Sequence, residues 1–166
     1  MFKHILVTTD GSELANLALP VARDLGQRLG SRLTLLYVVP DPITYMPPTG
    51  AFTPGDLYDE LQNDLYIEGE NFIDKALGQL DFPDAEGRLV RAQTRDVARV
   101  IAEEAEALGS SMIIMSTHGR SGLGHLLLGS VADRVVRTAK TPVLLVRLPM
   151  SASKTGQGQP EHKVMG

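Results

Sequence analysis

The strongest constraint on this chain is a set of short, nearly unbroken aliphatic runs separated by long segments of helical period. Ile5-Leu6-Val7, Leu33 to Val39, Met112 to Met115 and Pro142 to Val146 are each too short to be a core helix. None shows the polar–apolar alternation of a strand with one wet face. Such runs are read as strands buried on both sides, which requires a parallel sheet with helices covering each face. Arg88 to Gln93 does alternate, as an edge strand does.

The intervening segments supply the helices. Ser12 is a good N-cap with Glu13 in the first turn, and Leu14, Leu17, Ala18, Val21, Ala22, Leu25 and Leu29 follow at helical spacing until Gly30. Pro20 falls inside that pattern and predicts a kink, because the bond to the Asn16 carbonyl is lost. The helical period resumes from Asp56 to Leu80, from about Asp96 to a Gly109 cap, and from Ser130 onward. In the last helix Val131, Val135 and Val136 are expected in the core, and Arg134 and Arg137 on a solvated face. Asp41 to Gly55 carries Pro42, Pro47, Pro48 and Pro54 and predicts a long surface loop. The whole describes a doubly wound α/β domain, five strands alternating with four helices.

Length allows one such domain, residues 1–148, and a short polar tail, 149–166, with too little to bury to fold. Sixteen Lys and Arg against twenty Asp and Glu give a net charge of −4, which argues against a dedicated nucleic-acid or anionic-membrane binder. Cysteine is absent, which excludes disulfides and thiolate chemistry, and four histidines fall at no metal-ligand spacing. No apolar run approaches the ~20 residues of a membrane span, and the first residues lack a charged-then-apolar signal, so a cytoplasmic location is expected.

In an open parallel sheet, ligands sit beyond the carboxyl ends of the strands where the strand order reverses. Two loops there are unusual: Thr8-Thr9-Asp10-Gly11-Ser12, and Ser116 to Gly124 leading to Gly129-Ser130 at a helix start. Glycines permit close backbone approach, and unpaired amides at a helix start attract an anion. The plainer alternative is that these glycines only turn the chain. Known nucleotide motifs fail individually. Gly119 to Gly124 has the glycine spacing of a Walker A loop without its lysine and Ser/Thr; the first turn has Gly11 alone, not a dinucleotide fingerprint; and Asp10 lacks the acidic neighbours of a receiver site.

The opening Ile5 to Ser12 and the stretch from Met115 to Val146 resemble the universal stress protein family, with the likeness running from residue 2 to about 147. Its ATP-binding members carry Gly-x2-Gly-x9-Gly-Ser/Thr. Here Gly119, nine further residues, Gly129 and Ser130 match, while Ser116 replaces the first glycine. The resemblance implies the sheet order 3-2-1-4-5 and ATP with Mg or Mn on its phosphates. It also implies a ribose contact from Asp10, adenine recognition by the Val38 backbone, and a phosphate cradle of Gly119, Gly129, Ser130 and Val131. Thr9, Met115, Ser116 and Arg120 complete the implied ATP site, and Ser116 either crowds the ribose or hydrogen-bonds to it. For Asp10 the alternative is a turn role, for Ser130 a plain N-cap, and for Arg120 an exposed arginine. His118 is set down as structural.

Three functions follow: a cytoplasmic ATP-binding regulator of the stress response, a dimeric interaction protein that needs no nucleotide, and a slow ATPase or phosphotransferase. The last ranks lowest because the sequence offers no evident general base, catalytic lysine or acidic metal pair. Val143 to Arg147, an apolar edge strand, predicts a homodimer paired through it.

Overall fold

The computed structural model describes residues 2–44, 55–92, 96–117 and 128–147. In chain order it runs β1 (His4–Thr9), a 3-10 turn (Ala15–Leu17), α1 (Ala18–Leu29), β2 (Arg32–Val39), a second 3-10 turn (Pro42–Thr44) and α2 (Gly55–Leu80). Then follow β3 (Glu86–Arg91), α3 (Val97–Ala107), β4 (Met112–Ser116), α4 (Ser130–Thr138) and β5 (Val143–Val146). The five strands form one sheet in the order β3-β2-β1-β4-β5, every pair parallel, as expected.

Every residue of β1 is buried, which explains why its sequence shows no alternation. Its two faces nevertheless belong to different cores. Ile5 and Val7 pack with Ala18, Leu19 and Ala22 of α1 and Leu65, Ile73 and Ala76 of α2. Leu6 packs on the other face with Ala98, Ile101 and Ala105 of α3 and Ala132 and Val135 of α4. Burying a Leu, Ile or Val side chain contributes about 1.5–3 kcal/mol. Both faces are needed to offset the entropy of ordering a chain this long.

Several local expectations need correction. Pro20 does not kink a helix that starts at Ser12. Residues 15–17 are a tighter 3-10 turn, and Pro20 is exposed in the first turn of α1, where its missing N–H would have had no intrahelical acceptor. Val131 and Val136 are not core; they are 36% and 46% exposed, and Val135 alone of the three is fully buried. Arg134 is exposed on the solvated face as expected, and it also pairs there with Asp96 at 2.7 Å. The proline-rich segment begins with Asp41 and Pro42 buried rather than on the surface, and residues 45–54 lie outside the described residues. The polar tail, residues 149–166, also lies outside them.

The amino ends of the central strands are held by a buried polar knot. His4 Nδ1–H donates to the Leu108 carbonyl at 3.1 Å, and its Nε2 accepts from the Thr34 hydroxyl at 2.8 Å. The Ser111 hydroxyl donates to the His4 carbonyl at 2.8 Å, so β1, β2, the end of α3 and the start of β4 meet at one residue. Replacing His4 by Ala strands two buried polar partners and leaves a cavity. We expect it to lower stability in urea unfolding by about 2–4 kcal/mol. Thr34→Val removes one bond alone and should cost about 1 kcal/mol.

Candidate functional site

The strand order reverses between β1 and β4, because the chain moves from β1 outward to β2 and β3 and then returns to the far side of β1. A cavity of about 250 Å³ opens there at the carboxyl ends of the strands. Its apolar floor is Leu36 and Val38 of β2, Met115 of β4, and Val97 and Ile101 of α3. Thr8, Thr9 and Asp10 form one polar wall; Ser116, Thr117, Gly129 and Ser130 form the other. Asp10 is the one ionisable side chain among the described residues that line it.

The Asp10 loop is organised by its own hydrogen bonds. Asp10 Oδ1 accepts from the Ser12 amide at 3.0 Å and from the Ser12 hydroxyl at 2.6 Å, so the turn role is realised. The Ser12 hydroxyl in turn accepts the Ala15 amide at 3.1 Å, a turn bond and not the expected helix cap, because Leu14 is the N-cap of the 3-10 turn and Leu17 that of α1. Thr9 Oγ1 donates to Asn16 Oδ1 at 2.7 Å and accepts the Gly11 amide at 3.0 Å. Asn16 Nδ2 then donates to Gln79 Oε1 of α2 at 2.9 Å. Gly11 has φ +82, and a Cβ there would lie 2.5 Å from the Phe72 ring of α2. The wall carrying Asp10 is therefore braced from behind by α2.

The opposite wall ends at α4. Gly129, not Ser130, is the N-cap, and among the described residues no side chain caps the helix. The Gly129 amide donates to the Thr117 carbonyl at 2.8 Å, which pins the loop's exit to the end of β4. Ser130, Val131 and Ala132 open the helix, so their amides have no intrahelical acceptor. An uncapped helix start presents roughly half a positive charge to whatever occupies the cavity.

This is the place where a doubly wound sheet accepts a ligand. The sequence profile of the universal stress protein family matches residues 1–147. The chain belongs to that family. It is 30% identical over 149 residues to universal stress protein YxiE of Bacillus subtilis, covering 89% of this chain and 100% of that protein. The solved structure of MJ0577 from Methanocaldococcus jannaschii aligns with a TM-score of 0.76 at 28% identity, covering 91% and 99% of the two chains. A universal stress protein from Archaeoglobus fulgidus, solved in complex with dAMP, aligns with a TM-score of 0.58. At 19% identity, over 87% and 98% of the two chains, that likeness is one of fold.

Against the universal stress protein pattern, the fold brings Thr9, Asp10, Val38, Met115, Ser116, Gly129, Ser130 and Val131 to one cavity. Gly119, Arg120 and His118 lie outside the described residues. Register shows how two of the residues contribute. Ser116 pairs with Val146 and Thr9 with Tyr37, and both partners pack in the core on the α1–α2 face. Strand alternation thus turns the Ser116 and Thr9 side chains to that face and leaves their backbones toward the cavity.

Leu36, Val97, Ile101 and Ala132 also line the cavity and were not singled out from the sequence. Leu36 could have been found as the same-face neighbour of Val38. Val97 and Ile101 carry only an ordinary four-residue helical spacing, which says nothing about where α3 docks. Gly11→Ala combines a left-handed backbone with a clash against Phe72. It should lower stability by about 2–4 kcal/mol in thermal or urea unfolding.

Proposed function

We propose that this chain binds ATP, with Mg or Mn on the triphosphate, in the β1–β4 cavity, and acts as a cytoplasmic homodimeric regulator of the stress response. The observation that carries the reading is the uncapped start of α4 opening on a cavity with an apolar floor and Asp10 in its opposite wall. The floor suits a purine face. Asp10 is a hydrogen-bond acceptor for ribose hydroxyls, and the amides of Ser130, Val131 and Ala132 suit a phosphate. The Ser130 hydroxyl adds a further donor. Val38, at the end of β2, offers backbone groups to the edge of the base. A protein of the same fold solved in complex with dAMP supports a nucleotide as the class of ligand. No helix among the described residues is long and apolar enough to cross a membrane, which accords with the proposed location.

The replacement of the first motif glycine by Ser116 is compatible with this reading, because its pairing with Val146 directs the side chain toward α1. It is also the feature that favours the second reading, a nucleotide-independent dimer. Titration with ATP and Mg separates the two. ATP at 100 times its Kd should raise stability by about 2.7 kcal/mol in a thermal-shift series, and no shift at millimolar ATP rejects nucleotide binding. Gly129→Val should abolish the shift while leaving unfolding of the free protein cooperative. Ser116→Gly should bind ATP within about twofold of the parent, a difference under ~0.5 kcal/mol.

The dimer rests on a difference between the sheet's two edges. β3 carries Glu86, Arg88 and Arg91, charges that discourage strand addition. β5 is Val-Leu-Leu-Val, half-buried along its length, with Pro142 just before it and Arg147 just after. We therefore place the two-fold contact at Val143 to Arg147. Sedimentation at micromolar concentration should give twice the 18.0 kDa chain mass, and a monomer would overturn the assignment.

A further inference from the structure

Two helices border the cavity side by side, and both start at its rim. Val97 and Ile101 belong to the first turns of α3, and Ser130, Val131 and Ala132 to the first turn of α4. On the core side the two helices meet in one apolar cluster, Ala98, Ile101 and Ala105 from α3 and Ala132 and Val135 from α4.

Two ion pairs bridge α3 to the α4 segment, one near the helix starts and one just past the end of α4. Near the cavity, Asp96 divides its carboxylate: Oδ1 accepts the Arg99 amide at 3.2 Å, and Oδ2 accepts Arg134 Nη2 at 2.7 Å. Asp96 is the N-cap of α3, and Arg134 lies one helical turn beyond Ser130. At the far end, Lys140 pairs with Glu106 at 3.1 Å. Neither Asp96 nor Arg134 lines the cavity.

We propose that the Asp96–Arg134 pair is a clasp that sets the width of the cavity between α3 and α4, which makes Arg134 a positioning residue for a nucleotide it does not touch. This rests on the nucleotide reading above. One carboxylate both starts α3 and holds α4, so the element that supplies the apolar floor and the element that supplies the amides are fixed to each other at the rim. The far pair, Lys140–Glu106, has the same chemistry without the location and serves as the internal control.

The test compares the full chain with Arg134→Gln, Arg134→Lys, Asp96→Asn, the Arg134→Gln/Asp96→Asn double variant and Lys140→Gln. Asn keeps an acceptor for the α3 cap while removing the charge. In ATP–Mg titrations, Arg134→Gln and Asp96→Asn should each weaken binding about three- to fivefold, the upper range for an exposed pair. The double variant should be no weaker than either single one, Arg134→Lys should restore parental affinity, and Lys140→Gln should not differ from it. A mere field effect on an anionic ligand predicts opposite signs, with Asp96→Asn tightening binding; that result, or unchanged affinities, overturns the clasp.

Hydrogen exchange without ligand supplies a readout independent of nucleotide. The Val100 amide donates to the Asp96 carbonyl and the Asp133 amide to the Gly129 carbonyl, closing the first turns of α3 and α4. Both should exchange faster in Arg134→Gln but not in Arg134→Lys or Lys140→Gln, and equal protection in all of them overturns the clasp. If the parent binds no ATP, the nucleotide reading fails by itself and this exchange comparison still decides whether the helices are clasped.

Discussion

Everything in this molecule depends on covering both faces of a parallel sheet. Parallel strands cannot be joined by tight hairpins, so each connection must cross over a face, and a helix is the economical way to do so. The chain places α1 and α2 on one face and α3 and α4 on the other. Changing faces requires the strand order to turn back at β1, and the loops on either side of that reversal must diverge. The cavity between β1 and β4 is the direct consequence. It exists because of the winding of the sheet, before any question of which side chains line it.

The two ends of the central strands then do different work. At the amino ends, the buried His4 ring bonds the Thr34 hydroxyl and the Leu108 carbonyl, and the Ser111 hydroxyl bonds the His4 carbonyl, so one residue ties four elements together. At the carboxyl ends, the polar groups are arranged differently. Thr9, Asn16, Ser12 and Gln79 are linked in a chain that stiffens the loop, while α4 begins without a side-chain cap.

Much of the fold was legible because short continuous Ile, Leu and Val runs between helical segments admit few explanations. The strands, their parallel sense and the helix positions all follow from that pattern. The failures came from local chemistry whose meaning depends on neighbours. Pro20 is a helix breaker only if a turn of α-helix precedes it, and a 3-10 turn precedes it instead. Val131 and Val136 have the spacing of a buried face, yet α4 rests on the sheet through Ala132 and Val135. Arg134 looks like any exposed arginine until α3 brings Asp96 beside it. Of the candidate site, the two loops announced themselves by composition, while the floor from α3 did not.

The sequence by itself determined the architecture, the family and the loops that end β1 and β4, because hydrophobic period and glycine spacing are properties of neighbouring residues along the chain. Only the tertiary structure decided how those residues are used. It turned the Ser116 side chain to the α1–α2 face through its pairing with Val146, committed the Gly129 amide to Thr117, and began α4 at the cavity with Ser130, Val131 and Ala132. It also joined Asp96 to Arg134 across 38 positions of sequence. Register, pleat and helix docking are relations between distant segments, fixed by how both cores pack at once. No local pattern encodes them.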